Sequence, residues 1–409
     1  MVRSAALLAG LDDVIRPGDP VLTEVHTSSG TRSVEAADLR HSLGEVLTDY
    51  GITRVAHLTG FDRVGVPVHM AVKPQGRSLS SGSGKGLTAD ASWVSAVMEA
   101  CEQAVWEGLD LDSVEASQQS MRSHGHRTVD GAQCAQMKRS FWTPATPVLW
   151  TQGIDIVGGG TCFVPTSLVD ISPIPARSLR PFVSGSNGLA SGAHVLEAIL
   201  SGLLEVIERD GLTLFSHVRP RPMSDGIPVL HQVEPWLADC LLRAGLDLRI
   251  IDATSELGVP TIVAYVYDTP GGRTGVFKGA GAGLSTSTAL VRAVTEALQA
   301  RCVIVAGARD DIFESMRSSS VIRADLAPDP QTAPPVLVDY STGSIRDDLS
   351  WLAHQLTQYG FDEVIVLRHT QPDEPVQVVR VIVPGLEGYR FSHAGLGSRA
   401  HNLQASRAS

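Results

Sequence analysis

The stretch Glu197-Ala-Ile-Leu-Ser-Gly-Leu-Leu-Glu205-Val-Ile-Glu208-Arg209 reads as a helix with its carboxylates along one side, and Ser95-Ala-Val-Met-Glu99-Ala-Cys-Glu102 repeats the arrangement. Residues three or four apart on a helix are neighbours, so each stretch gathers like charges on one stripe. In the second stretch Leu196, Ile199, Leu200, Leu203, Val206 and Ile207 form a broad apolar face, and Glu197, Ser201, Glu205 and Glu208 a polar one. Glu205 can pair with Arg209 one turn on, but Glu197 and Glu208 have no such helical partner. In the first, Trp93, Val94, Val97, Met98, Cys101, Ala104 and Val105 oppose Ser95, Glu99 and Glu102. The plainer reading is a pair of amphipathic helices with solvated acidic faces. The sharper one is that a cation neutralises them, and with few basic residues nearby a divalent metal is the candidate.

A third helix, from Ala289 to Val305, is apolar nearly all round yet carries Arg292, Glu296 and Gln299 on one stripe. A helix of that kind is buried, and a buried charged stripe needs partners or a lined cavity. Two solutions stay open: an internal Arg292–Glu296 pair, or a polar pocket shared with the other acidic helices.

Around these helices the chain alternates strands and helices. Helices are expected at about 38–50, 89–108, 194–213, 234–244, 286–307 and 347–359. Strands are expected at 55–58, 66–72, 148–151, 161–164, 248–251, 261–266, 275–278, 363–367 and 376–383. Interspersed elements with some adjacent strand pairs predict a mixed-sheet α/β or α+β fold. The whole of 1–409 is expected to be a single domain. It has an N-terminal β/α subregion at about 20–75, an irregular insertion or lid at 110–145, and a disordered tail at 401–409. Ser81-Gly-Ser-Gly-Lys85-Gly86 reads as a glycine-serine loop before the first acidic helix. It fails the P-loop pattern because Gly86 stands where Ser or Thr is required, though such a loop can still offer backbone N–H groups to an anion. Ser184-Gly-Ser186-Asn187-Gly188, before the second acidic helix, is read the same way, with a plain turn as its alternative.

The net charge of -11, from 33 basic and 44 acidic residues, argues against a nucleic-acid binder. No apolar run approaches a membrane span. Five scattered cysteines without a CxxC pair argue against a disulfide framework or a structural zinc site and fit a reducing cytoplasm. No GxSxG, HExxH or strand-following GxGxxG is present, and His124 and His126, in a polar stretch, are expected to face solvent.

Taken together and in order, SGSGKGLTADASWVSAVMEACEQ, SNGLASGAHVLEAILSGLLEVIERDG and LVRAVTEALQARCVIVAGARDD resemble the three ATP-site segments of the YcaO family, and the resemblance runs from about His26 to Ala400. The resemblance implies a YcaO-like fold around an ATP and Mg2+ pocket. It also implies an enzyme that uses ATP to activate a backbone amide of a ribosomally made precursor peptide. By motif position it implies metal ligation by Glu99, Glu102, Glu205, Glu208 and Glu296, with catalytic roles for Glu205, Glu208, Arg209 and Glu296. Nucleotide contacts are implied for Lys85, Ser95, Glu99, Glu102, Ser186, Asn187, Glu197, Arg292 and Arg309. Ser201 and Arg292 stand where some relatives have Gln.

The nucleophile that attacks the activated carbon decides the product: a side chain gives an azoline, an amine an amidine, and sulfide a thioamide. The chain ends Gln404-Ala-Ser-Arg-Ala-Ser409 without the proline-rich tail common in azoline-forming relatives. Its segments Thr59 to Pro67 and Val378 to Gly388 resemble the branch that works with a TfuA-type partner in thioamidation. The resemblance therefore implies a thioamide synthetase with a TfuA-like partner, ahead of a cyclodehydratase or macroamidine-forming enzyme. A non-catalytic peptide-docking scaffold is the reading from another class. Relatives are often homodimers.

Overall fold

A computed structural model describes residues 8–27, 30–77, 79–170, 181–216, 223–269, 275–308, 326, 332–388 and 394–408, with side chains through 403. In chain order the helices are α1 (Leu11–Val14), α2 (Ala36–Val46), α3 (Ala89–Glu107), α4 (Gln118–Ser123), α5 (Val195–Ser216), α6 (Ile227–Val233), α7 (Pro235–Arg243), α8 (Thr286–Ala306), α9 (Ile345–Gln358) and α10 (Ser398–Ala408). The strands are β1 (Val25–Thr27), β2 (Gly30–Arg32), β3 (Arg54–His57), β4 (Val68–Val72), β5 (Ser81–Lys85), β6 (Ser113–Ser117), β7 (Pro147–Asp155) and β8 (Thr161–Pro165). They continue with β9 (Leu189–Gly192), β10 (Ser224–Asp225), β11 (Leu246–Asp252), β12 (Thr261–Asp268), β13 (Val276–Ala282), β14 (Ile365–Arg368) and β15 (Gln377–Ile382). Each ladder between these strands is antiparallel, so the mixed fold takes its α+β form.

The chain divides into two compact units, each assembled from separated segments. One comprises residues 24–101 and 218–341. It holds the sheet β3-β4-β5 and the sheet β10-β11-β12-β13. Strand β12 is buried along its whole length, and its Ile262, Ala264 and Val266 pack with Leu237 and Leu241 of α7 and Leu290, Val294 and Leu298 of α8. Helix α8 starts where Ser285 Oγ accepts the Thr288 N–H at 3.0 Å and stops at Gly307, whose φ of 61° suits glycine. Its far end is held by a buried ionic cluster. Arg301 Nε donates to Asp62 at 2.8 Å, and the guanidinium lies 3.5 Å from Asp268, which also pairs with Arg63 at 2.7 Å. Two residues of the Thr59–Pro67 segment are thus fixed to α8 and β12.

The other unit comprises residues 1–23, 102–217 and 342–409. Its sheet runs β6-β7-β14-β15-β9, with β8 also on β7. Helix α5 packs on β9 and β15 and is buried on nearly every side. Fully buried Arg380, on β15, donates to the carbonyls of Asn187 at 2.8 Å and Val169 at 3.3 Å.

Three expectations change. The glycine-serine "loop" at 81–85 is strand β5, paired along its length with β4. The 110–145 region is no lid: it contributes β6 and α4, and Met121, Val129 and Cys134 enter the core with Trp150, Val164 and Ile365. The segment 401–408, read as a tail without structure, is part of helix α10.

The strand at 81–85 reads as a loop because of its glycines, and packing explains them. A Cβ on Gly84 would sit 2.1 Å from the Ala96 nitrogen and 2.2 Å from the Ser92 carbonyl oxygen, both backbone of α3. Backbone atoms of a helix cannot move aside, so Gly84→Ala should cost about 1–3 kcal/mol or more. Gly60→Ala, with nothing within 4 Å of the added carbon, should be near neutral. Urea unfolding midpoints of the two variants check this.

Candidate active site

The candidate residues are carried by a strand–turn–helix unit that occurs three times along the chain. Gly86, Gly192 and Gly283 each precede a helix start (Ala89, Val195, Thr286) by three residues and a glutamate (Glu99, Glu205, Glu296) by thirteen. In every copy the glycine lies under the first turn of its helix. An added Cβ would be 2.7 Å from Ser92 N, 2.7 Å from Ala198 N and 3.2 Å from Ala289 N. Further along, Gly82 abuts Ala100 and Gly279 abuts Ala297, while Gly188 meets Val206. At the station between, Gly84 and Gly281 face Ala96 and Ala293. The second copy reverses this one pair, with alanine on the strand (Ala190) and glycine on the helix (Gly202). Small residues on both partners bring helix and strand backbones close, and in the first and third copies the glutamate is thereby carried to the strand edge.

Strands β5 and β13 are each the last in their sheet, so they have edge N–H groups to satisfy. Glu99 Oε2 accepts the Ser83 N–H at 3.0 Å, and Glu296 Oε1 accepts the Ala280 N–H at 3.4 Å. Ser83 and Ala280 are the same position of the repeat. Ser95 Oγ accepts the Lys85 N–H at 3.4 Å, and Gln299 Nε2 donates to the Ser83 carbonyl. Lys85 Nζ lies 2.6 Å from Glu296 Oε2. Lys85 from β5 thus brings a cation to Glu296, so the stripe on α8 draws a partner from the neighbouring strand. Arg292 itself is half-buried.

On α5, Glu205 pairs with Arg209 at 3.5 Å, as the spacing predicts. Glu208 and Glu197 are buried, at 7% exposure each, so neither belongs to a solvated face. Glu99, Glu102, Ser201, Glu205 and Glu296 are half-buried. Arg209 and Ser186 are exposed; Asn187 is half-buried, and its buried Oδ1 has no hydrogen-bond partner among the described residues. Arg309 lies outside the described residues. His124 and His126 are exposed. Beneath α3, His69 Nδ1 shares a 2.8 Å hydrogen bond with Ser92 Oγ, and burial, aided by nearby His57, pushes the imidazole down to about 4. It is neutral at pH 7 and serves as packing for the helix.

Sequence reasoning missed Gln299 as a clasp on β5 and the buried Asp210 after Arg209. It also missed the repeat, whose aligned glycines and glutamates are visible once the three segments are superposed on their Gly86, Gly192 and Gly283.

Among the described residues no three acidic, histidine or cysteine side chains form a ready-made metal cage. The half-buried carboxylates are hard oxygen donors of the kind that Mg2+ takes, and this ion is usually bound through one or two carboxylates together with waters and substrate phosphates.

A family model described as YcaO cyclodehydratase, ATP- and Mg2+-binding, matches residues 83–387. The chain belongs to the YcaO family. It is an ATP-dependent YcaO-type enzyme, and ATP and Mg2+ are its cofactors. It is 33% identical over 400 residues to an uncharacterized protein in the tfuA 3' region of Rhizobium leguminosarum bv. trifolii, covering 91% of this chain and 92% of that one. It is 30% identical to an uncharacterized protein of Methanothermobacter thermautotrophicus, covering 90% and 98%. Among solved structures, the fold is similar to a heterocyclase in complex with substrate and cofactor, with TM-score 0.74 and 22% identity. That match covers 95% of this chain and only 57% of the heterocyclase chain. It is also similar to YcaO from Methanopyrus kandleri bound with AMPPCP and Mg2+, with TM-score 0.68 and 22% identity, covering 92% and 98%. No helix of the described residues is long and apolar enough to cross a membrane.

Lys85 pairs with Glu296, which the motif nominates as a metal ligand, and a metal bound there would contest that carboxylate. Lys85→Met removes that competitor from a partly exposed pair worth up to about 1 kcal/mol. Titration calorimetry with Mn2+ alone should then show binding tightened by about two- to fivefold, with ATP binding weakened.

Proposed function

We propose that this YcaO enzyme activates a backbone amide of a ribosomally made peptide and that sulfide completes the reaction, giving a thioamide. The observation that carries the sulfide step is the full-length similarity to a protein from a tfuA region. A TfuA-like protein is accordingly proposed as its partner. In balanced form, amide, hydrogen sulfide and ATP yield thioamide, ADP and phosphate; the amide oxygen leaves in the phosphate, and the two sulfide protons pass to solvent and phosphate.

Bound ATP supplies the phosphoryl group that makes the amide oxygen a leaving group, and Mg2+ offsets charge on the phosphates. The chain's own residues do the positioning. Glu99, Glu102, Glu205, Glu208 and Glu296 are the proposed ligands for Mg2+, with catalytic roles assigned to Glu205, Glu208, Arg209 and Glu296. Lys85, Ser95, Asn187, Glu197 and Arg292 are proposed around the nucleotide, with Ser186 and Arg309 carried over from the motif alone. Lys85 is well placed to change roles: its ammonium neutralises Glu296 now and can turn to a phosphate when a metal takes that carboxylate.

Cyclodehydration is the second reading, and the family description itself favours it. It uses the same activated amide with a Cys, Ser or Thr side chain as nucleophile; an amine would give a macroamidine. A non-catalytic docking role is the outsider, and the charge pairs kept on Glu205 and Glu296 speak against it.

Incubation with ATP, a sulfide source, a TfuA-like protein and the precursor peptide should raise the peptide mass by about 16 Da, as oxygen is replaced by sulfur, and Glu205→Gln should lower turnover by at least about a hundredfold. Loss of water from the peptide would establish ring closure instead. Unchanged turnover in Glu205→Gln would remove that residue from the site.

A further inference from the structure

The side chain immediately after the Glu208-Arg209 pair is Asp210, and it is fully buried. A carboxylate taken wholly out of water needs strong compensation. Among the described residues, Oδ1 accepts from the Arg399 guanidinium of α10 and from the Glu387 N–H at 2.8 Å. Glu387 in turn is nearly buried, and its carboxylate caps the start of α10, accepting the Gly397 N–H at 2.8 Å and the Ala400 N–H at 3.0 Å. Arg399 is also steadied from its other side, with its guanidinium carbon 5.1 Å from the Phe361 ring centre. The residue after Glu387 leaves no slack: a Cβ on Gly388 would lie 2.4 Å from Asn187 Nδ2.

We infer that Arg399 is a positioning residue of the candidate site. It acts through Asp210 to hold the carboxyl-terminal half of α5, and hence Glu205, Glu208 and Arg209, in the orientation that receives metal and nucleotide. The Glu387–Gly388 strap joins this clamp to Asn187, so one connected set of contacts links α10 to two segments nominated for nucleotide contact. The inference rests on the assignment of α5 to the ATP and Mg2+ site made above. Arginine suits this task, because a guanidinium nitrogen reaches Asp210 Oδ1 while the planar face stays on Phe361.

The test uses the full chain with Arg399→Met, Arg399→Lys and Glu205→Gln. Two quantities are measured: calorimetric affinity for a non-hydrolysable ATP analogue with Mn2+, and hydrogen–deuterium exchange of peptides covering 203–213 and 398–408. The expected result for Arg399→Met is nucleotide affinity weakened by about tenfold together with faster exchange in 203–213. Arg399→Lys should recover part of both, since it keeps the charge and loses the fork. Faster exchange confined to 398–408 with unchanged affinity, while Glu205→Gln abolishes binding, would overturn the inference and leave the site standing. Binding by Glu205→Gln equal to wild type would overturn the site assignment instead, and the exchange of 203–213 would still decide whether Arg399 holds α5. Should Arg399→Met fail to fold, Arg399→Lys carries the same two measurements, and wild-type values in both would refute the role.

Discussion

The rest of the structure depends on how close a helix can be brought to a strand. At an ordinary separation a glutamate in mid-helix points away from the sheet it covers. Here glycine and alanine line both surfaces, backbones nearly touch, and Glu99 and Glu296 reach the last strand of their sheets to accept an N–H. The same contact solves two problems. It satisfies an edge donor that would otherwise need water, and it fixes a carboxylate that would otherwise be a mobile surface charge. The cost is the conformational freedom of the glycines and the absence of side-chain packing along β5, which has the composition Ser-Gly-Ser-Gly-Lys.

Charge is then balanced locally. Described partners include a backbone amide for Glu99, an amide and an ammonium for Glu296, a guanidinium for Glu205, and an amide and a guanidinium for Asp210. The cations on Glu296 and Glu205 belong to partly exposed pairs and are exchangeable, since such pairs contribute little. The pair on Asp210 is buried, and breaking it would strand a charge. A functional carboxylate must be able to give up its partner to a metal, and a supporting one must not. Lys85 and Arg209 are partly exposed, whereas Asp210 is fully buried, so the Asp210 pair suits a supporting role.

Much of this is legible from residue pattern. The three acidic helices are located to within about three residues because their apolar faces are long and regular, and most strands are found from β-branched runs such as Thr261 to Val266. What fails has a common cause. Strand β5 has no apolar residue, because its inward positions are glycines pressed on a helix, so the period-two signal that marks a strand vanishes. The 110–145 region looks polar because its buried residues are scattered singly, Met121, Val129 and Cys134, without a helical or strand period. The Lys85–Glu296 contact joins residues 211 apart in sequence, beyond anything spacing can suggest. The Asp210 clamp is hidden for the same reason, its partners Glu387 and Arg399 being 177 and 189 residues away.

The three copies are not equivalent, and their differences follow the chemistry proposed for them. Three positions after the shared glutamate stand Glu102, Glu208 and Gln299. The first two copies can therefore offer Glu-x-x-Glu pairs of hard oxygen ligands, whereas the third offers one carboxylate and an amide. The amide is already engaged with the Ser83 carbonyl, where a second carboxylate would be repelled. Four positions before the glutamate stand Ser95, Ser201 and Arg292. The third copy thus replaces a small hydroxyl with a cation, and it is also the copy whose glutamate is neutralised by Lys85. The repeat therefore does not carry the same charge in every copy. On the proposed function, the copies with Glu-x-x-Glu pairs suit a metal, and the amide- and arginine-bearing copy suits an anion.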